Sequence, residues 1–128
     1  MYPTIKPFNS FYLKTKDNLH SIYVEECGNK NGVPIIYLHG GPGGSIDPKN
    51  RRYFNPKKYR VILFDQRGSG KSEPKGSLIK NTTSELVNDI EEIRNVLQIK
   101  RWIIVGGSWG STLALVYAIK NSSRVLGM

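Results

Sequence analysis

Three features of the sequence predict an α/β fold built on a mainly parallel sheet. Continuous apolar runs at 33–38, 61–64 and 102–105 are rich in β-branched residues, the pattern of strands buried on both faces. Between the second and third runs, Leu86, Ile90, Ile93 and Leu97 fall at i, i+4, i+7 and i+11, one apolar stripe of a helix. A second helical segment follows the third run. Strands alternating with helices place the strands in parallel, with helices on the faces of the sheet.

Taken in order, residues 11–16 and 19–26 have mixed, partly alternating polarity around Asp17-Asn18, which reads as a hairpin with one wet face. Gly28-Asn-Lys-Asn-Gly32 is a turn. Strand 33–38 follows, then strand 61–64. Thr82 stands three residues before Glu85, a capping-box spacing that starts the first helix. Strand 102–105 leads into a helix over about 108–120, with Leu113, Val116, Tyr117 and Lys120 along one side. Arg124-Val-Leu-Gly-Met128 reads as the entrance to a further strand.

The 128 residues fit one domain unit, since domains average ~100–150 residues. No run approaches the ~20 apolar residues of a membrane helix. The N-terminus lacks a charged region followed by an apolar one, so no secretory signal is expected. Cys27 is the only cysteine, which excludes a disulfide within the chain and fits a cytoplasmic protein. The net charge of +9 is spread in ones and twos; a nucleic-acid surface needs clustering, so none is expected.

Chemistry concentrates at the ends of the three buried runs. Gly106-Gly107-Ser108-Trp109-Gly110 matches G-x-S-x-G and joins strand to helix. A sharp turn there exposes the serine oxygen at the sheet's carboxyl edge and needs small flanking residues. The helix N-terminus favours developing negative charge. His39-Gly40-Gly41-Pro42-Gly43-Gly44 ends the first run, where glycines let backbone N–H groups approach a ligand. In α/β-hydrolases this loop and the residue after the nucleophile each give one oxyanion donor, here the N–H groups of Gly41 and Trp109. His39 is read as a packing and hydrogen-bonding residue rather than a base. Asp65-Gln-Arg-Gly-Ser-Gly-Lys-Ser72 ends like a phosphate-binding loop, but Asp65 replaces the first glycine and Glu73-Pro74 interrupts any helix, so nucleotide binding is rejected. Asp65 and Arg67 are expected instead to brace the glycine loop.

The segments Glu25-Glu-Cys-Gly-Asn29, HGGPGG at 39–44, Arg51-Arg-Tyr-Phe54, DQRGSGKS at 65–72, Asn81-Thr-Thr83 and GGSWGS at 106–111 resemble proline iminopeptidases in order and spacing. The resemblance covers nearly the whole chain. It implies an α/β-hydrolase fold, of which this is the N-terminal half: an antiparallel hairpin, parallel strands and a nucleophile elbow. It implies a cytoplasmic serine peptidase that releases N-terminal proline from peptides through an acyl-serine intermediate, without metal or cofactor. Ser108 would be the nucleophile, and Trp109 would border the proline pocket. The substrate amine would be held by carboxylates of a helical cap that follows the region present here.

Such a serine needs a base and a carboxylate, which in these hydrolases follow it in the order Asp/Glu then His. Residues 109–128 contain no Asp, Glu or His, and His20 and His39 both precede Ser108. The triad is therefore expected to be incomplete in this chain, and residues 1–128 to form the first part of a hydrolase domain. A non-catalytic fragment and a serine hydrolase acting on esters or lactones are the alternative readings. The outer side of strand 102–105 is expected to lack its partner, which would begin only at Met128.

Overall fold

The computed structural model describes residues 1–40, 44–74 and 82–128. Among the described residues, six strands form one mixed sheet: β1 (Asn9–Lys14), β2 (Ser21–Gly28), β3 (Val33–Leu38), β4 (Tyr59–Phe64), β5 (Trp102–Gly106) and β6 (Val125–Gly127). Their spatial order is β1-β2-β4-β3-β5-β6. The β1–β2 and β2–β4 pairs are antiparallel, while β3 lies parallel to both β4 and β5. Two helices, α1 (Thr83–Val96) and α2 (Trp109–Lys120), follow β4 and β5.

The hairpin turn is wider than the sequence suggests. Strand pairing stops at Lys14 and Ser21, and residues 15–20 close on themselves. The Thr15 N–H donates to the His20 carbonyl, and the Asp17 carboxylate accepts from Leu19 N–H. Asn18 takes the left-handed conformation, φ 60°, which asparagine tolerates. Asp17-Asn18 thus lies at the tip of a six-residue turn, held by the Asp17 side chain rather than by strand pairing.

The core explains the rest of the order. Ile22, Val24, Ile36, Leu38, Ile62, Phe64 and Ile104 point to one face and pack against Leu86, Val87, Ile90 and Ile93 of α1 and Leu113, Ala114 and Tyr117 of α2. Both helices therefore cover the same face. On the other face Cys27, Val61 and Leu63 are covered by Ile5, Ile46, Phe54 and Tyr59, side chains of irregular segments and strand ends rather than of a helix. A 3-10 turn at Pro48–Arg52 belongs to this cover, capped reciprocally by Asp47 and Asn50. An ion pair ties that layer down: buried Glu25 accepts from Arg51 at 2.7 and 2.9 Å and from the Tyr23 hydroxyl at 2.9 Å.

Thr82 caps α1, its hydroxyl oxygen accepting from Glu85 N–H at 3.4 Å, where the sequence places the start. Leu113 and Tyr117 of α2 are buried as expected, but Lys120 is exposed. The inward stripe runs instead through Gly110, Leu113, Ala114 and Tyr117. The expectation for the outer side of β5 also needs correction. Its partner strand starts at Val125, not Met128, and pairs Trp102 with Val125 and Ile103 with Gly127. No described helix is long and apolar enough to cross a membrane.

Candidate active site

β5 ends at Gly106 and α2 begins at Trp109, so the chain must reverse direction within two residues. Ser108 absorbs the reversal at φ 55°, ψ −123°, a region L-residues avoid and that costs ~1–3 kcal/mol. Its neighbours show why the motif needs glycine. A Cβ on Gly106 would run into the Gly110 carbonyl, and one on Gly110 into the Leu38 carbonyl. The helix thus starts directly against the end of β3. In its first turn Gly110 N–H donates to the Gly107 carbonyl at 2.9 Å and Ser111 N–H to the Ser108 carbonyl at 3.0 Å. Trp109 is the first helical residue, its backbone N–H at the positive end of α2 beside the exposed Ser108.

The glycine loop reaches this turn through Gly40. A Cβ built on Gly40 would stand 3.3 Å from Ser108 Cβ and 3.9 Å from Ser108 Oγ. The structure therefore brings Ser108, Trp109 and the start of the loop together. Gly41, expected as an oxyanion donor, lies outside the described residues.

His39 is 2% exposed, and both ring nitrogens are engaged. Nε2 accepts from Gln66 N–H at 2.9 Å, and Nδ1 faces the Gly40 carbonyl at 2.7 Å. An imidazole nitrogen that accepts a backbone N–H carries no proton, so Nδ1 holds it and donates to Gly40. Burial holds the His39 pKa below the ordinary histidine value, although the Gly40 carbonyl and Asp65 pull it back up. The ring is neutral and structural, as its sequence context suggested.

The loop after β4 supplies braces to this region. Asp65 accepts from Ile46 N–H and Lys71 N–H, each at 2.8 Å, and so holds the chain two residues past the glycine loop. Among the described residues, Arg67 has partners in α1 and the hairpin turn. Its guanidinium grips Asp89 of α1 through Nε at 2.6 Å and Nη2 at 2.9 Å, and Asp17 of the hairpin turn through Nη1 at 2.7 Å. Gln66 also holds the start of the glycine loop, its Nε2 donating to the His39 carbonyl at 3.0 Å. Sequence reasoning passed over Gln66; its place beside Asp65 at the end of a buried strand was the available signal. Cys27 is fully buried, and burial pushes its thiol up to about 12, so it is no alternative nucleophile.

A strained serine between a parallel strand and a helix, at the sheet edge where a glycine loop meets it, is the signature of one class of protein. The chain belongs to the α/β-hydrolase fold family, whose profile matches residues 33–128. Within it, the chain is homologous along its full length to proline iminopeptidases, with about half of its residues identical. It is 53% identical over 128 residues to a probable proline iminopeptidase of Leptolyngbya boryana, matching all of this chain and 40% of the relative. It is 51% identical over 128 residues to the proline iminopeptidase of Arabidopsis thaliana, matching 33% of that protein. Among solved structures, a proline iminopeptidase-related protein of Thermus thermophilus superposes with a TM-score of 0.79 at 26% identity, covering 96% of this chain and 44% of that one. An epoxide hydrolase of Vigna radiata superposes at 0.75 with 20% identity, over 91% of this chain and 37% of that one, a likeness of fold alone. The chain spans between a third and two-fifths of the length of the curated relatives it matches.

Proposed function

We propose that this chain carries the nucleophile and oxyanion donors of a cytoplasmic proline iminopeptidase, which releases N-terminal proline from peptides. The observation that carries the reading is Ser108 at φ 55° between β5 and α2, in a chain about half identical to proline iminopeptidases throughout. Ser108 Oγ attacks the carbonyl carbon of the N-terminal prolyl residue. The oxyanion that forms is received by the N–H groups of Gly41 and Trp109, and collapse expels the shortened peptide as an amine. Water then releases proline from the acyl-serine. The Trp109 side chain borders the proline pocket.

We place the base outside residues 1–128. His39 cannot serve, because Nε2 is occupied by Gln66 N–H and Nδ1 by the Gly40 carbonyl. Residues 109–128 offer no Asp, Glu or His. We read residues 1–128 as the nucleophile-bearing part of a hydrolase domain whose base, carboxylate and amine-binding cap lie beyond it.

The test is a chimaera in which residues 1–128 replace the matching segment of the Leptolyngbya boryana relative. It should release proline from a prolyl amide, and Ser108→Ala should lower turnover by about 10⁶-fold. A polypeptide of residues 1–128 alone should give no detectable release. An inactive chimaera, or robust serine-dependent turnover by residues 1–128, would refute the assignment.

A further inference from the structure

The peptide group between Ser108 and Trp109 is gripped twice by one residue. Its carbonyl accepts from the Ser111 backbone N–H at 3.0 Å and from the Ser111 hydroxyl at 2.6 Å. A trans peptide is planar, so this carbonyl and the Trp109 N–H point in opposite directions and turn together. Gly110 N–H turns back to the Gly107 carbonyl at 2.9 Å. Trp109 N–H, the first of α2, has no carbonyl of its own helix to meet and opens outward at the helix end. The setting of this peptide is strained. Ser108 sits at φ 55°, ψ −123°, and relaxing ψ would swing the Trp109 N–H away from its present direction.

We infer that Ser111 is a positioning residue for Ser108 chemistry: its hydroxyl clamps the Ser108 carbonyl and so aims the Trp109 N–H. This rests on that N–H being an oxyanion donor of the proposed reaction. The one bond acts in two ways. It opposes rotation of the peptide out of its strained setting. It also polarises the amide, because a donor on the carbonyl oxygen strengthens the N–H of the same group as a donor. Helix stability does not call for the hydroxyl. Ser111 is exposed, so alanine there opens no cavity. Alanine also favours helix more than serine does, and a hydroxyl turned back onto its own helix slightly destabilises it.

The donor is left in place but loosened, so the effect expected is that of one neutral hydrogen bond, about 3- to 10-fold in turnover. In the chimaera, Ser111→Ala should lower kcat by about that factor and leave KM within about twofold. Its urea midpoint should not fall, since no packing is lost and helix propensity improves. Ser111→Thr carries a hydroxyl that can bond the same carbonyl, and should restore kcat to within about twofold of wild type. A merely structural role would lower stability along with kcat. An active chimaera whose Ser111→Ala variant keeps wild-type kcat, or loses it only together with stability, overturns the inference alone. So does a Ser111→Thr variant as slow as Ser111→Ala. An inactive wild-type chimaera overturns the proposed function, and the inference with it.

Discussion

Two glycines of the elbow are demanded by sterics and one is not. A Cβ on Gly110 meets the Leu38 carbonyl, and backbone against backbone has nowhere to move; a Cβ on Gly107 meets only the Tyr37 hydroxyl, at 3.4 Å. Gly110→Ala should therefore cost at least the ~1–3 kcal/mol of an overpacked core, a large part of a ~5–15 kcal/mol stability. Gly107→Ala should be close to neutral. Urea denaturation of the chimaera and its two variants checks the contrast; equal losses would mean the elbow is not closed against β3. His39 gives a second expectation. Its folded pKa is depressed by burial, so the unfolded chain takes up the proton first as pH falls. The stability His39 contributes is whole above the ordinary histidine value of ~6.5 and is lost as pH drops towards the folded value. Thermal unfolding between about pH 7.5 and 5 should show wild type losing stability relative to His39→Gln as pH falls. A constant difference would mean the ring is not buried neutral.

At the scale of elements, Arg67 joins three of them. It links the loop after β4 to α1 through Asp89 and to the β1–β2 turn through Asp17. Asp89 is 1% exposed, so removing its partner leaves a buried, uncompensated charge, worth ~3–5 kcal/mol. Arg67→Met should be destabilising by about that amount in the chimaera, whereas Arg67→Met with Asp89→Leu should recover most of the loss. Additive losses in the double variant would show that the pair is not coupled. The α1–α2 contact is organised the same way. Trp102 Nε1 donates to the Tyr117 hydroxyl at 3.3 Å, which donates to Glu91, itself held by Arg94 at 2.7 Å. None of these partners was readable from local pattern. Periodicity assigned Leu86, Ile90 and Ile93 to one apolar stripe, and a stripe does not name the partners of the polar residues on the other faces.

For the molecule as a whole, the sheet and α2 leave surface uncovered. Leu115, Ile119 and Leu126 are 52%, 72% and 52% exposed. β6 pairs with β5 on one side only, among the described residues. An edge strand beside an apolar helix face is a template for association, and each such side chain left in water forgoes about 1.5–3 kcal/mol of burial. A polypeptide of residues 1–128 should therefore self-associate or unfold without a sharp transition. Light scattering during gel filtration, with thermal unfolding by circular dichroism, reads both. A soluble monomer that melts cooperatively would contradict this picture of an open sheet.

Some of this architecture was determined by the sequence alone, because it depends on residues close together in the chain. The bounds of β3, the Thr82 cap of α1 and the elbow at Ser108 follow from apolar runs, side chain-to-backbone reach and the spacing of glycines. The irregular cover on the second face and the sheet order that inserts β4 between β2 and β3 were decided only by the tertiary structure. So were the partners of His39 and Arg67, which lie 27 and 50 residues away in the chain at Gln66 and Asp17. The physical reason is that a buried donor must find an acceptor wherever folding brings one. That choice is made by the superposition of distant segments, which no local pattern records.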